Sequence, residues 1–514
     1  MTTALTELRN RLLEVDDLNG ASSLLRWDMA TYMPSGGAQA RGRQTATLSR
    51  LAHEKFTDPE IGRLLDRLDK ELSTHPEDDL DRALVRVTRR SWEQSVKLPG
   101  ELVSQMSEHT AKTYSAWTVA RPKNDFESVR PLLEKTLDLS RRMADCFPGY
   151  ESIADPLIAF ADYGVTAKSI RALFSQLRAR LVPLVRAITA RPPADDSCIK
   201  QHAPEADQLA FGLSVIRRYG YDLDRGRQDK TAHPFMTKFS LGDVRITTRV
   251  RENDLTDALF STLHECGHAL YEQGIRRDLE GTPLAGGTSS GVHESQSRLW
   301  EILVGRSPGF WKHFYPELQR AFPKQLGAVE RDTFYRAINK VERSLIRVDA
   351  DEVTYNLHVM LRFDLELDML EGRVAVKDLA RVWRERFEAD FGIAVPSDTD
   401  GALQDVHWYD GPIGGAFQGY TLGNIMSAQF FQAATLAHAE IPAQIEQGEF
   451  GTLRGWLTKN VYQHGSCFTA AELVPRATGS AMSIEPYMDY LWNKYQPLYD
   501  LTSNERKGIT GATT

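Results

Sequence analysis

The sequence predicts a mainly α-helical protein with one small antiparallel β-sheet, and three observations carry that prediction. Apolar residues recur at a period near 3.6 along most of the chain. Proline and glycine stops cut this pattern into helix-length pieces. One short stretch, TKFSLGDVRITTRV, is β-branched and alternates with period two instead.

The first element, TALTELRNRLLEVDDLNG, places Leu5, Leu8, Leu12 and Leu13 on one stripe and offers Asn19-Gly20 as a stop. Similar stripes run through PEIGRLLDRLDKEL, DLDRALVRVTRRSWEQSV, PGELVSQMSEHTAKTYSAW, ESVRPLLEKTLDLSRRMADCF and SIRALFSQLRARLVPLVRAI. Breaks fall at residues 34–37, at Pro99-Gly100, at Pro148-Gly149 and across residues 191–196. These breaks suggest an N-terminal helical lobe over residues 1–190 and a second lobe over residues 191–514. In the β segment, Leu241-Gly242-Asp243 marks a hairpin turn. Period two then sends Asp243, Arg245 and Thr247 to one face and Val244 and Ile246 to the other.

Bulk properties narrow the function classes. A chain of 514 residues can bury a core without a disulfide framework. Cys146, Cys198, Cys266 and Cys467 are scattered with no C-x-x-C pairing, which suits a reducing cytoplasm. A net charge of -8 argues against a nucleic-acid partner, because phosphate-binding surfaces are basic. The N-terminus lacks a signal-type apolar run. The most apolar late segment carries Gln418, Asn424, Gln429, Gln432 and His438, so it reads as a buried helix and not a membrane span.

The stretch STLHECGHALYEQG, residues 261–274, reads as a helix that Asp254 or Thr256 caps and Gly274 ends. Leu259, Leu263, Cys266 and Leu270 form its apolar stripe. On a neighbouring face His264 and His268, four residues apart, can both reach one zinc ion at about 2.0–2.1 Å. Glu265 stands between them, placed for a water rather than for the metal, which is the H-E-x-x-H arrangement of zinc peptidases. A metzincin would have a glycine and a third histidine where Tyr271 and Gly274 stand, so that subclass is excluded. A carboxylate from a second helix is the usual alternative. VHESQSRLWEILVG offers Glu294, favoured because a loop-to-helix junction lets the chain turn back, with Glu301 in reserve. His293 is a candidate to orient substrate, or a surface or core histidine.

Further motifs extend this pattern: HPF (residues 233–235), DVRIT (243–247), HECGH (264–268), HESQ (293–296), IRVDAD (346–351) and GALQDVHW (401–408), with RWDMATYMP near the start. Together and in this order they resemble the carboxypeptidase Taq family, metallopeptidase family thirty-two, across most of the chain. The resemblance implies a zinc-dependent carboxypeptidase (cobalt being the other metal of the family) with Glu294 as third ligand. It also implies a saddle-like helical molecule with a deep central groove, commonly a homodimer.

A carboxypeptidase must grip the free C-terminal carboxylate of its peptide substrate, which calls for an arginine fork. Arg347 is the first candidate, with Arg245 assisting or shaping the groove. Arg347, Asp351, Tyr355 and His358 fall on one face of an expected long helical run, where Asp351 could fix a ligand histidine's tautomer. His407 and Tyr420 flank a glycine-rich loop and, as in related helical zinc peptidases, could stabilise the oxyanion; His233 is a third groove candidate. The expected reaction is release of single C-terminal amino acids with broad specificity, Glu265 acting as general base. Two alternatives stand beside it: an oligoendopeptidase of the same helical zinc class, and a zinc-stabilised protein that binds peptides without cutting them.

Overall fold

A computed structural model describes residues 3–510. Helix α1 (Thr3–Thr31) opens the chain and buries Leu5, Leu8, Leu12 and Trp27, while Leu13 lies off the stripe at 46 % exposure. The expected stop at Gly20 is absent. The helix runs through it, and glycine lets α1 approach residue 239, since a Cβ there would lie 2.8 Å from the carbonyl oxygen of Phe239; Gly20 is a contact, not an end.

Phe239 belongs to the small sheet, built from β1 (Gln228–Lys230), β2 (Met236–Ser240) and β3 (Asp243–Thr248) in the order β1-β3-β2. The β2–β3 pair is the expected antiparallel hairpin, with Met236 opposite Ile246 and Thr237 opposite Arg245. The short β1 adds itself parallel to the other side of β3, so the sheet is mixed. Its residues, Gln-Asp-Lys, carry no apolar alternation that could announce a strand. Val244 and Ile246 are fully buried, as period two requires. Thr247 is buried as well, because its hydroxyl pairs with the backbone of Phe235.

Four helices build the site: α2 (Asp257–Gly274), α3 (Ser290–Arg298), α4 (Tyr355–Leu370) and α5 (Gln418–Ala437). After α3 the chain widens into a π-helical turn over Leu299–Val304. The expected helical run through residue 347 does not form. Arg347–Asp349 is a single 3₁₀ turn, Ala350 is extended at φ -73° and ψ 142°, and α4 begins only at Tyr355. Arg347 and His358 therefore share no helical face.

Two glycines let these helices close on one another. A Cβ at Gly267 of α2 would lie 2.5 Å from the Gln296 carbonyl oxygen of α3, and one at Gly423 of α5 would lie 2.7 Å from the Glu294 Cβ. Several polar residues of α5 are buried with partners, as in Asn424 to Asn356 (2.9 Å) and Gln418 to Asp162 (2.9 Å). Among the described residues no helix is long and apolar enough to cross a membrane. The apolar side chains gather in two cores. A small one joins Leu5, Leu8 and Leu12 to Leu64, Leu84, Leu241 and Leu279. The large one runs from residues such as Leu133, Phe174 and Leu181 to Val244, Ile246 and Leu263 under the histidine helix.

Candidate metal centre

Both histidines of α2 turn their Nε2 atoms towards one carboxylate oxygen. His264 Nε2 stands 3.6 Å and His268 Nε2 3.5 Å from Oε2 of Glu294 on α3. The three donor atoms lie within 4.8 Å of one another. Donors about 2.0–2.1 Å from a tetrahedral ion sit about 3.3–3.5 Å apart, so the set fits a divalent cation with little adjustment. Glu301, the reserve, does not join them; it accepts from His264 Nδ1 at 2.9 Å and thereby leaves Nε2 free for a metal.

The surroundings hold this geometry. Arg298 donates to Oε1 of Glu294 at 2.7 Å, Ser297 donates to its Oε2 at 3.1 Å, and Arg298 also reaches Glu301 at 3.3 Å. Burial opposes ionisation of Glu294, but the charges of Arg298 and of the histidines outweigh it and keep the carboxyl far below its ordinary range. Glu301 is likewise held down to about 2: burial works against it, and the hydrogen bond from His264 and the charge of Arg298 prevail. His268 Nδ1 meets His293 Nδ1 at 2.6 Å, so His293 stands behind a candidate ligand. Asp351 is elsewhere. It accepts the backbone N–H groups of Glu342, Val353 and Thr354, so Glu301 and His293, not Asp351, touch the Nδ1 atoms of the candidate ligand histidines.

Glu265 is buried beside the histidines and accepts the N–H of Met236 at the start of β2. Burial, reinforced by Glu294 and Glu301 and opposed by His264, pushes its carboxyl up to about 7. A carboxylate with that proton affinity is suited to take a proton and give it back near neutrality.

The other candidates meet on Asp405. Arg347 grips this carboxylate with two nitrogens at 2.6 and 3.0 Å, Arg362 adds a third bond at 2.8 Å, and His407 Nδ1 a fourth at 2.7 Å. Two guanidiniums against one carboxylate leave a surplus positive charge. Despite burial, Arg362, His407 and Arg347 keep Asp405 ionised far into acid. The last nitrogen of Arg347 bonds the Tyr355 hydroxyl at 3.0 Å, and His407 Nε2 faces the Tyr420 hydroxyl at 3.2 Å. Burial, with Tyr355 nearby, raises the phenol of Tyr420 and keeps it a donor. His233 is exposed, and partial dehydration with the charges of Arg249 and Arg347 lowers its pKa. Arg245 is committed to the sheet: it forks onto Asp243 at 2.7 and 2.8 Å and lies over the rings of Trp27 and Phe239 at 4.5 and 4.9 Å.

Sequence reasoning missed Arg298, Glu272, Arg362 and Asp405. Arg298 was within reach, four residues after Glu294 on one helix. Asp405 lies two residues before His407 in GALQDVHW, but nothing local reveals that two distant arginines share it.

Comparison with known proteins identifies the family. Residues 7–495 match the family described as Carboxypeptidase Taq (M32) metallopeptidase. The chain is 39 % identical to thermostable carboxypeptidase 1 of Thermus thermophilus over 494 residues, covering 94 % of this chain and 96 % of that one. It is 36 % identical to carboxypeptidase 1 of Bacillus subtilis, covering 96 % and 98 %. The crystal structure of an M32 carboxypeptidase from Deinococcus radiodurans superposes with a TM-score of 0.95 at 50 % identity, covering 97 % of this chain and all of that one.

Proposed function

The chain belongs to the carboxypeptidase Taq (M32) metallopeptidase family, and we propose that it releases single amino acids from free peptide C-termini at a zinc site formed by His264, His268 and Glu294. The convergence of both Nε2 atoms on one Glu294 oxygen is the observation that carries this reading. Zinc, with cobalt as the alternative, would supply Lewis acidity that activates a water and polarises the scissile carbonyl.

The chain's own residues do the rest. Glu265 takes the proton of the attacking water and passes it to the leaving amine nitrogen. Tyr420 donates a hydrogen bond from its hydroxyl to the oxygen on which negative charge develops, and His407, tethered through Nδ1 to Asp405, holds that hydroxyl in place with its Nε2. Arg347, backed by the surplus charge around Asp405, receives the substrate's terminal carboxylate through the second N–H of each terminal nitrogen, the first being held by Asp405 or Tyr355. His233 contributes at the groove mouth, and Arg245 shapes the wall by fixing α1 against the sheet. The four free thiols support a reducing, cytoplasmic setting, and a homodimer is the expected assembly.

The test pairs metal content with cleavage of one peptide in two forms. Zinc at one equivalent, stepwise release of residues from the free form and no cleavage of the C-terminal amide are expected. Equal turnover of both forms would overturn the carboxylate anchor, and internal cuts would overturn the exopeptidase reading.

A further inference from the structure

The two histidines of the metal centre are backed in different ways. His264 gives its Nδ1 directly to a carboxylate, Glu301, at 2.9 Å. His268 meets a second imidazole, and that imidazole leads to a buried acid. His293 Nε2 lies 2.9 Å from Oε1 of Glu272, whose other oxygen accepts from Lys238 on β2 at 2.8 Å. Glu272 also accepts the N–H of Gly287 at 3.0 Å. At Gly287 a Cβ would come within 2.5 Å of the His293 ring, so the ring is seated against bare backbone. Burial resists ionisation of Glu272, but the bonds from His293 and Lys238 hold it down to about 2, a carboxylate at any working pH.

We propose that His293 is a positioning residue for the metal: as the acceptor facing Nδ1 of His268 it fixes the tautomer and ring angle of that ligand. This rests on the reading of His264, His268 and Glu294 as ligands. If Nε2 of His268 offers its lone pair, its hydrogen is on Nδ1, and the Nδ1 of His293 at 2.6 Å must accept it. His293 then carries its own hydrogen on Nε2, where Glu272 accepts it. Every nitrogen in the chain has one consistent role. Lys238 closes the relay two residues from Met236, whose N–H meets Glu265. Supporting groups of this kind typically change metal affinity 10–100-fold when removed.

Two substitutions separate the links. In His293→Gln the side-chain amide can reach Glu272 in place of Nε2, but the acceptor facing His268 is lost. In His293→Asn the Oδ1 atom stands near the old Nδ1 and keeps that acceptor, while the link to Glu272 is cut. Zinc affinity of the metal-free full chain would be measured by competition with a chromogenic chelator, alongside the Tm of each metal-free variant. His293→Gln should bind zinc 10–100-fold more weakly with its metal-free Tm kept, and His293→Asn should stay close to wild type. Unchanged affinity in His293→Gln, or equal weakening in both variants, would overturn the proposal. His264→Ala is the control for the underlying reading: if it binds zinc as well as wild type, the ligand assignment itself fails, whatever the His293 variants do.

Discussion

The two walls of the site are built from the same kinds of side chain in opposite proportion. On the metal wall Glu265, Glu294 and Glu301 gather around two imidazoles, with Arg298 bridging two of the acids. On the facing set Arg347, Arg362 and His407 gather around one acid, Asp405. The first arrangement leaves lone pairs pointing inward and suits a cation. The second leaves an unbalanced positive charge and suits an anion. Hydrolysis at a peptide's C-terminus needs both, because the scissile carbonyl and the terminal carboxylate are one residue apart.

Breaking the metal wall without emptying it should give the largest effect. Glu265→Gln is expected to lower kcat by about 10²–10⁴-fold while metal content, read by elemental analysis, stays at wild-type level. Wild-type turnover in that variant would remove the general base from the reading. On the opposite wall Tyr420→Phe should cost about 10²–10³ in kcat with little change in KM, because its donor acts only as charge develops. A change confined to KM would instead make Tyr420 a substrate-binding group.

The contact that brings Glu294, the proposed third ligand, towards the imidazoles can be tested by stability. Gly423→Ala should destabilise the chain by about 1–3 kcal/mol in denaturant melts, since the new methyl lands on Glu294. An unchanged midpoint would mean that α3 and α5 can part freely. The smallest expected effect is on acid sensitivity. Glu301 sits at about 2 when folded and near 4.5 when unfolded, so the unfolded chain binds its proton first and stability falls as pH drops from about 4.5 towards 2. In the metal-free Glu301→Gln chain, calorimetry across that window should give a shallower decline; an identical slope would show that the residue contributes no such linkage.

His264, Glu265 and His268 were legible because a helix converts sequence spacing into distance: four residues are one turn, whatever the rest of the chain does. Glu294 was legible as the favoured carboxylate and not as a certainty, since Glu301 two turns on satisfied the same spacing rule. The small sheet was half legible. Its hairpin carries β-branched alternation, and β1 carries none. The helical face expected through Arg347 and His358 failed at Ala350, where an extended residue breaks the run and Asp351 turns to capping the backbone of the following turn.

The sequence alone determined the helical character and offered the candidate metal-binding pair, the candidate base between them and the set of arginine, histidine and tyrosine candidates. Each of these depends on spacing along one element or on side-chain chemistry. Tertiary structure decided which glutamate points at the imidazoles and which one stands behind them. It also brought Arg347, Arg362 and His407 onto a single Asp405 and placed His293 between His268 and Glu272. Those choices join elements far apart in the chain, and the approach of Glu294 uses close helix contacts at Gly267 and Gly423 that no local pattern encodes.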